Sequence, residues 1–177
     1  IIINKEETAN PEDIQQVRLR VQSLNPNATI IDAASPIFVE KYQQIKGKKV
    51  LVVEDGPTLT HGGMKYGAGL VAAQKFGAGE IIDPRPYAKG SLLSTYKKFN
   101  HLDNILPAMG YGAKQMKELE ESINATPVDL VIIGTPIDLT RVIKINKPAL
   151  RVQYELQEIG KPDLEDVLQD FIRKHNI

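Results

Sequence analysis

The stretch VLVVEDGPTLTHGGMKYGAG, Val50 to Gly69, decides the fold. Its first four residues are apolar without alternation, the pattern of a strand buried on both faces, and such strands belong to parallel sheets covered by helices on each side. The run stops at two acids, Glu54 and Asp55, and opens into a segment rich in glycine, threonine and bases. In sheets of this kind ligands sit beyond the carboxyl ends of the strands.

Working outward, IIINKEE at the start reads as the end of a buried strand. Asn10 then caps a helix with Pro11 at its first position and Ile14, Val17, Val21 and Leu24 on one face. ATIIDAAS is a second strand, PIFVEKYQQIKG a short helix or irregular connection, and KKVLVVED the strand just described. Beyond it, Gly67 to Phe76 reads as a helix, GEIID as a strand, SLLSTYKKF as a helix, NILPAMG as a strand interrupted by Pro107, and VDLVIIG as the clearest strand. A helix with Met116, Leu119 and Ile123 on one face precedes that last strand. ALRVQYEL and an amphipathic helix over Leu164, Val167, Leu168, Phe171 and Ile172 complete the chain.

The alternation predicts an α/β fold, a mostly parallel sheet with helices on both faces. No repeat or long linker interrupts it, so residues 1–177 read as a single domain. Each polar motif follows a strand: NKEE, AASP, EDGPTLTHGG, DPRPYAKG, MGYG and GTPIDLTR. A polar ligand is therefore expected along one edge of the sheet.

Composition narrows the partner. Lys plus Arg and Asp plus Glu are equal at 22 each, so the chain lacks the basic footprint of a nucleic-acid binder. No apolar run is long enough for a membrane span, and nothing at the start resembles a signal peptide, so a cytoplasmic setting is expected. The absence of cysteine excludes disulfides, thiolate metal sites and cysteine nucleophiles. Three β-branched residues open the chain without a Met, which reads as a fragment of a longer protein.

The segment after Asp55 carries the chemistry. Thr58, Thr60, His61, Gly62, Gly63 and Lys65 supply hydroxyl, imidazole, amide and ammonium donors ahead of a helix, a set suited to phosphate or carboxylate. Glu54 and Asp55 occupy the place where P-loop enzymes hold a carboxylate for magnesium. Arg85 and Lys89 add cations on a loop stiffened by Pro84 and Pro86. Thr135, Asp138 and Arg141 follow the clearest strand, where an internal Asp–Arg pair competes with a ligand contact. Gly67 to Ala72 matches G-x-G-x-x-A, but the strand ends too far upstream for a dinucleotide turn, and the glycines read as close packing or a flexible loop. His101 and His175 read as surface residues.

NKEE, Asn4 to Glu7, resembles the Asn-Lys-x-Asp base-recognition motif of P-loop GTPases, with Glu6 in its third position and AAS after the next strand matching the second base-contact loop. The resemblance implies that Asn4, Lys5, Glu6 and Ser35 border a purine. No G-x-x-x-x-G-K-[ST] loop is present to grip its phosphates.

Taken together, NKEE, NPNATIIDAASP, VLVVEDGPTLTHGGMKYGAG, DPRPYAKGS, LPAMGYG and VIIGTPIDLTRVIKINKPALRVQYEL are similar to the C-terminal part of the cyclic 2,3-diphosphoglycerate synthetase family. The resemblance implies the C-terminal portion of a P-loop NTPase-like, ATP-dependent ligase, cytoplasmic and archaeal, that closes an intramolecular phosphoanhydride and releases ADP and phosphate. It implies ATP and Mg2+ as cofactors and a small phosphometabolite as partner. Thr58, Thr60, His61, Gly62, Gly63, Lys65, Arg85 and Lys89 would then hold the substrate, Glu54 and Asp55 the metal, and Asp55 and His61 would serve the chemistry. A GTPase-like switch and a non-catalytic regulatory or homodimerisation domain stay open as alternatives.

Overall fold

The computed structural model describes residues 1–61 and 63–176. Among them nine strands form: β1 (Ile2–Ile3), β2 (Ile31–Ala34), β3 (Ile37–Val39), β4 (Lys49–Asp55), β5 (Glu80–Ile81), β6 (Leu106–Ala108), β7 (Leu130–Gly134), β8 (Ala149–Tyr154) and β9 (Gln157–Glu158). Six helices accompany them: α1 (Pro11–Leu24), α2 (Gly56–His61), α3 (Ala68–Lys75), α4 (Ser91–Lys98), α5 (Ala113–Ala125) and α6 (Leu164–His175). Where the sequence reads as one domain, the chain divides into two compact units, residues 37–153 and residues 1–36 with 154–176. Each unit has its own sheet: NKEE and AASP end strands of one, and the remaining motifs end strands of the other.

In the larger unit the strand order is β3-β8-β7-β4-β5, with β6 also pairing with β4. β4 runs parallel to β7 on one side, and on the other to β5 along its start and β6 along its end. β7 is parallel to β8 as well. The unalternating apolar run of β4 is explained by two faces that are both covered. Val50 and Val52 pack with Leu130 and Ile132 of β7 and with Ala72 and Ala73 of α3. Leu51 and Val53 pack on the opposite face with Val131 and Ile133 of β7, Leu92 of α4 and Met116, Leu119 and Ile123 of α5. Each such side chain contributes about 1.5–3 kcal/mol by leaving water, which makes β4 and β7 the spine of the unit.

Two elements differ from the sequence reading. PIFVEKYQQIKG contains the short strand β3, ended by Lys41 in the left-handed region, φ 60°. GPTLTH, expected as open loop, is the helix α2: Asp55 accepts from the Thr58 amide and hydroxyl at its start, and Leu59 is fully buried.

The smaller unit holds a three-stranded sheet ordered β1-β2-β9, parallel between β1 and β2 and antiparallel between β2 and β9. Asn10 caps α1 by accepting from Glu12 N–H at 3.1 Å, with Pro11 at the first position as the sequence predicts. The predicted inward face of α1 is only partly covered: Ile14 and Val21 are half-buried, whereas Val17 and Leu24 are exposed. α6 starts in a reciprocal capping box between Asp163 and Asp166.

Candidate functional site

Because β4 is parallel to β5, β6 and β7, their carboxyl ends gather the polar motifs of the larger unit on one edge. Glu54 and Asp55, neighbours in sequence, do different things there.

Glu54 is buried at 1% exposure, in register with Gly134 of β7 and Pro107 of β6. α3 begins at Gly67, which has no side-chain oxygen for a cap, and the Glu54 carboxyl replaces it by accepting from the Leu70 amide at 2.8 Å. Three glycines make room for it. A Cβ on Gly67 would stand 2.5 Å from Glu54 Oε2, one on Gly69 3.0 Å from Oε1, and one on Gly134 2.3 Å from Oε2. The glycines of YGAG are thus a packing device, one of the two roles read for them in the sequence. Burial pushes the Glu54 carboxyl up to about 7, against the lowering effect of the amides.

Asp55 faces outward. Its Oδ2 accepts from Thr58 Oγ1 at 2.6 Å and from Thr58 N–H at 3.2 Å, leaving Oδ1 without a hydrogen bond among the described residues. Tyr111, in the loop after β6, lies close enough for burial and the Asp55 charge together to raise its phenol above the usual range. Thr60 is turned back, its hydroxyl donating to the Gly56 carbonyl at 2.9 Å. His61 ends α2, and His61, Gly63 and Lys65 are exposed, with Gly63 left-handed at φ 61°. Gly62 lies outside the described residues.

Arg85 departs from the expected anion fork. Its Nε donates to Asp83 Oδ1 and Oδ2 at 2.9 Å each, its Nη2 to Oδ2 at 2.8 Å, and Nη1 stands 3.8 Å from Asp103. The planar edge that would grip a phosphate is occupied by a carboxylate. These are exposed pairs, so Arg85→Met is expected to cost less than about 1 kcal/mol in a denaturant titration. Lys89 keeps an exposed side chain while its amide is fixed by Ser122 Oγ at 2.9 Å. Asp138 pairs internally with Arg141 and caps Thr140, one of the two alternatives left by the sequence.

The purine candidates belong to the smaller unit. Asn4 Oδ1 accepts from Lys5 N–H at 2.8 Å, and Lys5 is left-handed at φ 66°. The Ser35 amide is taken by Glu7. Glu6 turns toward Arg18, 3.8 Å away, and Arg18 also pairs with Asp32. Burial and the neighbouring Asp32 raise the Glu6 carboxyl above the usual range. Asn4 and Lys5 remain exposed, whereas Glu6 is engaged within its own unit.

No family model matches the chain. Over 173 residues it is 68% identical to a protein of Thermococcus kodakarensis named arginine synthetase ArcE, and the match covers 98% of this chain and 39% of that protein. The chain is similar to an arginine synthetase. It spans about two-fifths of that relative's length.

Among the described residues no group of three or more His, Asp or Glu side chains gathers as a metal site, and no helix is long and apolar enough to cross a membrane. Sequence reasoning missed three contacts of the larger unit: the Glu54 cradle, the Glu118 cap of α4, and His101. Glu118 of α5 accepts from the Ser91 amide at 2.9 Å and from its hydroxyl, supplying the cap that Gly90 lacks. His101, expected at the surface, is half-buried and its Nε2 donates to the Leu59 carbonyl at 3.1 Å, tying down α2. No spacing in the sequence marks these partners, since each joins elements far apart in the chain.

Proposed function

We propose that the chain is part of an ATP-dependent synthetase, that its larger unit presents a polar metabolite beyond the carboxyl ends of β4 and β6, and that the product is arginine. The likeness to the Thermococcus protein carries this reading. The charge of the edge supports it. Arg85 is committed to Asp83 and Asp103, so of the side chains expected to hold an anion Lys65 and Lys89 stay exposed together with the imidazole of His61, beside the acid Asp55. That balance suits a zwitterionic amino acid better than a substrate carrying two phosphates and a carboxylate.

An ATP-coupled route to a guanidinium transfers a phosphoryl group to a ureido oxygen and lets an amine displace it. A C–N bond forms, the C–O bond breaks, and its electron pair leaves with phosphate. In this scheme Lys65 and Lys89 hold anionic groups of the bound reactants, and Asp55 takes the proton released as the amine attacks. Magnesium accompanying ATP needs only one or two carboxylates besides phosphate oxygens. Asp55 fits that role as the alternative to proton transfer, because a carboxylate bound to the ion is a poor base; Glu54, turned onto the α3 amides, fits neither.

The similarity of EDGPTLTHGGMKYGAG to cyclic 2,3-diphosphoglycerate synthetases favours a second reading, in which the nucleophile is a phosphate oxygen and the product a cyclic phosphoanhydride. Both schemes share ATP-driven activation of an oxygen followed by its displacement. ADP release by the protein expressed from its whole gene separates them. Release that depends on citrulline and ammonium, with arginine formed, is expected; release that depends on 2,3-diphosphoglycerate would replace the first reading by the second. In the active protein Lys65→Met is expected to raise the substrate constant about tenfold, equivalent to about 1.4 kcal/mol, and to leave that for ATP unchanged. An equal rise in both would remove Lys65 from the substrate site.

A further inference from the structure

The smaller unit is short of a core. Its buried residues are Ile3, Ile31, Ala33, Ala34 and Ser35, all on or beside the two parallel strands. Neither of its helices contributes one. Both nevertheless carry apolar stripes of the width that elsewhere covers a sheet. Ile14 and Val21 of α1 and Leu164 and Val167 of α6 are half-buried, but Val17 is 47% and Leu24 87% exposed on α1, and Leu168 is 58%, Phe171 53% and Ile172 40% exposed on α6. The sheet is open as well. β1 pairs with β2 on one side and with no other strand among the described residues, so its second edge presents free amides and carbonyls.

We infer that a further segment of the same polypeptide completes this unit, adding a strand to the free edge of β1 and burying the apolar faces of α1 and α6. Parallel sheets are covered on both faces, and one added β/α layer accounts for the open edge and the exposed part of both helices together. Pairing of α6 with a second copy would account for α6 alone. The length of the relative supplies such a segment: the matched region is 39% of the Thermococcus protein, so about three-fifths of that polypeptide lies outside it. The inference does not depend on which reaction the protein catalyses.

The chain contains no cysteine, so a single introduced thiol reports one position. In the protein expressed from its whole gene, the thiol of Phe171→Cys should react about a hundredfold more slowly than that of Arg173→Cys on the opposite face of α6; Leu168→Cys serves if the first variant does not fold. A photoreactive benzoyl-phenylalanine at position 171 should cross-link to peptides outside residues 1–177 of the same polypeptide. Equal thiol rates, cross-links to residues 37–153, a cross-linked species of twice the mass, or a gene encoding no further residues would each overturn the inference.

Discussion

Gly134→Ala is expected to lower the stability of the larger unit by about 3 kcal/mol, the upper end of the usual overpacking cost, and its melting temperature by roughly 10 °C. The new methyl would stand 2.3 Å from Glu54 Oε2 and 2.6 Å from the Gly69 amide nitrogen. The first neighbour is a side chain that could in principle swing away. The second is backbone at the start of α3, which cannot move without shifting the helix off β4 and β7. Gly67→Ala makes a useful contrast, because the atoms its methyl meets all belong to Glu54, the nearest at 2.5 Å. Its backbone is extended at φ −135°, so alanine brings no conformational penalty. Shortening Glu54 to alanine should therefore rescue most of the Gly67→Ala loss and only part of the Gly134→Ala loss. A double-mutant cycle in urea reads the difference directly. Equal rescue of both glycine variants would mean that the carboxyl, and not the helix backbone, sets the spacing at Gly134.

Glu54→Gln is expected to abolish most of the pH dependence of stability between about 4.5 and 7. The carboxyl is pushed up to about 7 in the folded protein from an ordinary value of 4.5. Below both values the folded and unfolded forms are protonated alike and the group contributes no slope. Between them the unfolded chain has released its proton while the folded one retains it, so stability falls as the pH rises. Above about 7 both forms are ionised and the loss is complete, amounting to about 3 kcal/mol. Glutamine keeps an acceptor for the Leu70 amide and cannot ionise. Unfolding midpoints measured from pH 4 to 8 should decline for the natural protein and stay flatter for the variant, which becomes the more stable of the two at pH 8. Parallel curves would show that Glu54 is ionised in its cradle throughout.

How much of this was legible in the sequence depended on whether a residue's partner is local. β4 and β7 could be read because an unalternating apolar run has few other uses, and both faces of each are indeed covered. Asn10 and Pro11 fixed the start of α1 for the same reason, since a cap and its amide lie two residues apart. α2 was missed because Gly-Pro-Thr-Leu-Thr-His has poor helical propensity, and its order comes from burial of Leu59 and from His101, forty-two residues away. At the candidate site Glu54 and Asp55 look equivalent in sequence. Each holds the start of a helix, Glu54 that of α3 and Asp55 that of α2, and only the depth of the cradle separates the buried carboxyl from the half-buried one. Arg85 carried a partial clue, an aspartate two residues before it, yet the second carboxylate, Asp103, lies on a different segment.

The borrowed caps of α3 and α4 bear on the order in which the chain can fold. A helix that begins at a glycine and takes its first acceptor from another element gains little by forming alone, and at eight residues each is too short to persist in isolation. α3 waits for β4, which precedes it. α4 waits for Glu118, which leaves the ribosome twenty-seven residues after Ser91. Side-chain truncations within α4 should consequently hasten unfolding and leave the folding rate almost unchanged, while truncations in β4 and β7 slow folding. The same dependence makes synthesis vectorial: until α5 emerges, the segment from Ser91 to Lys98 has nothing to begin a helix upon.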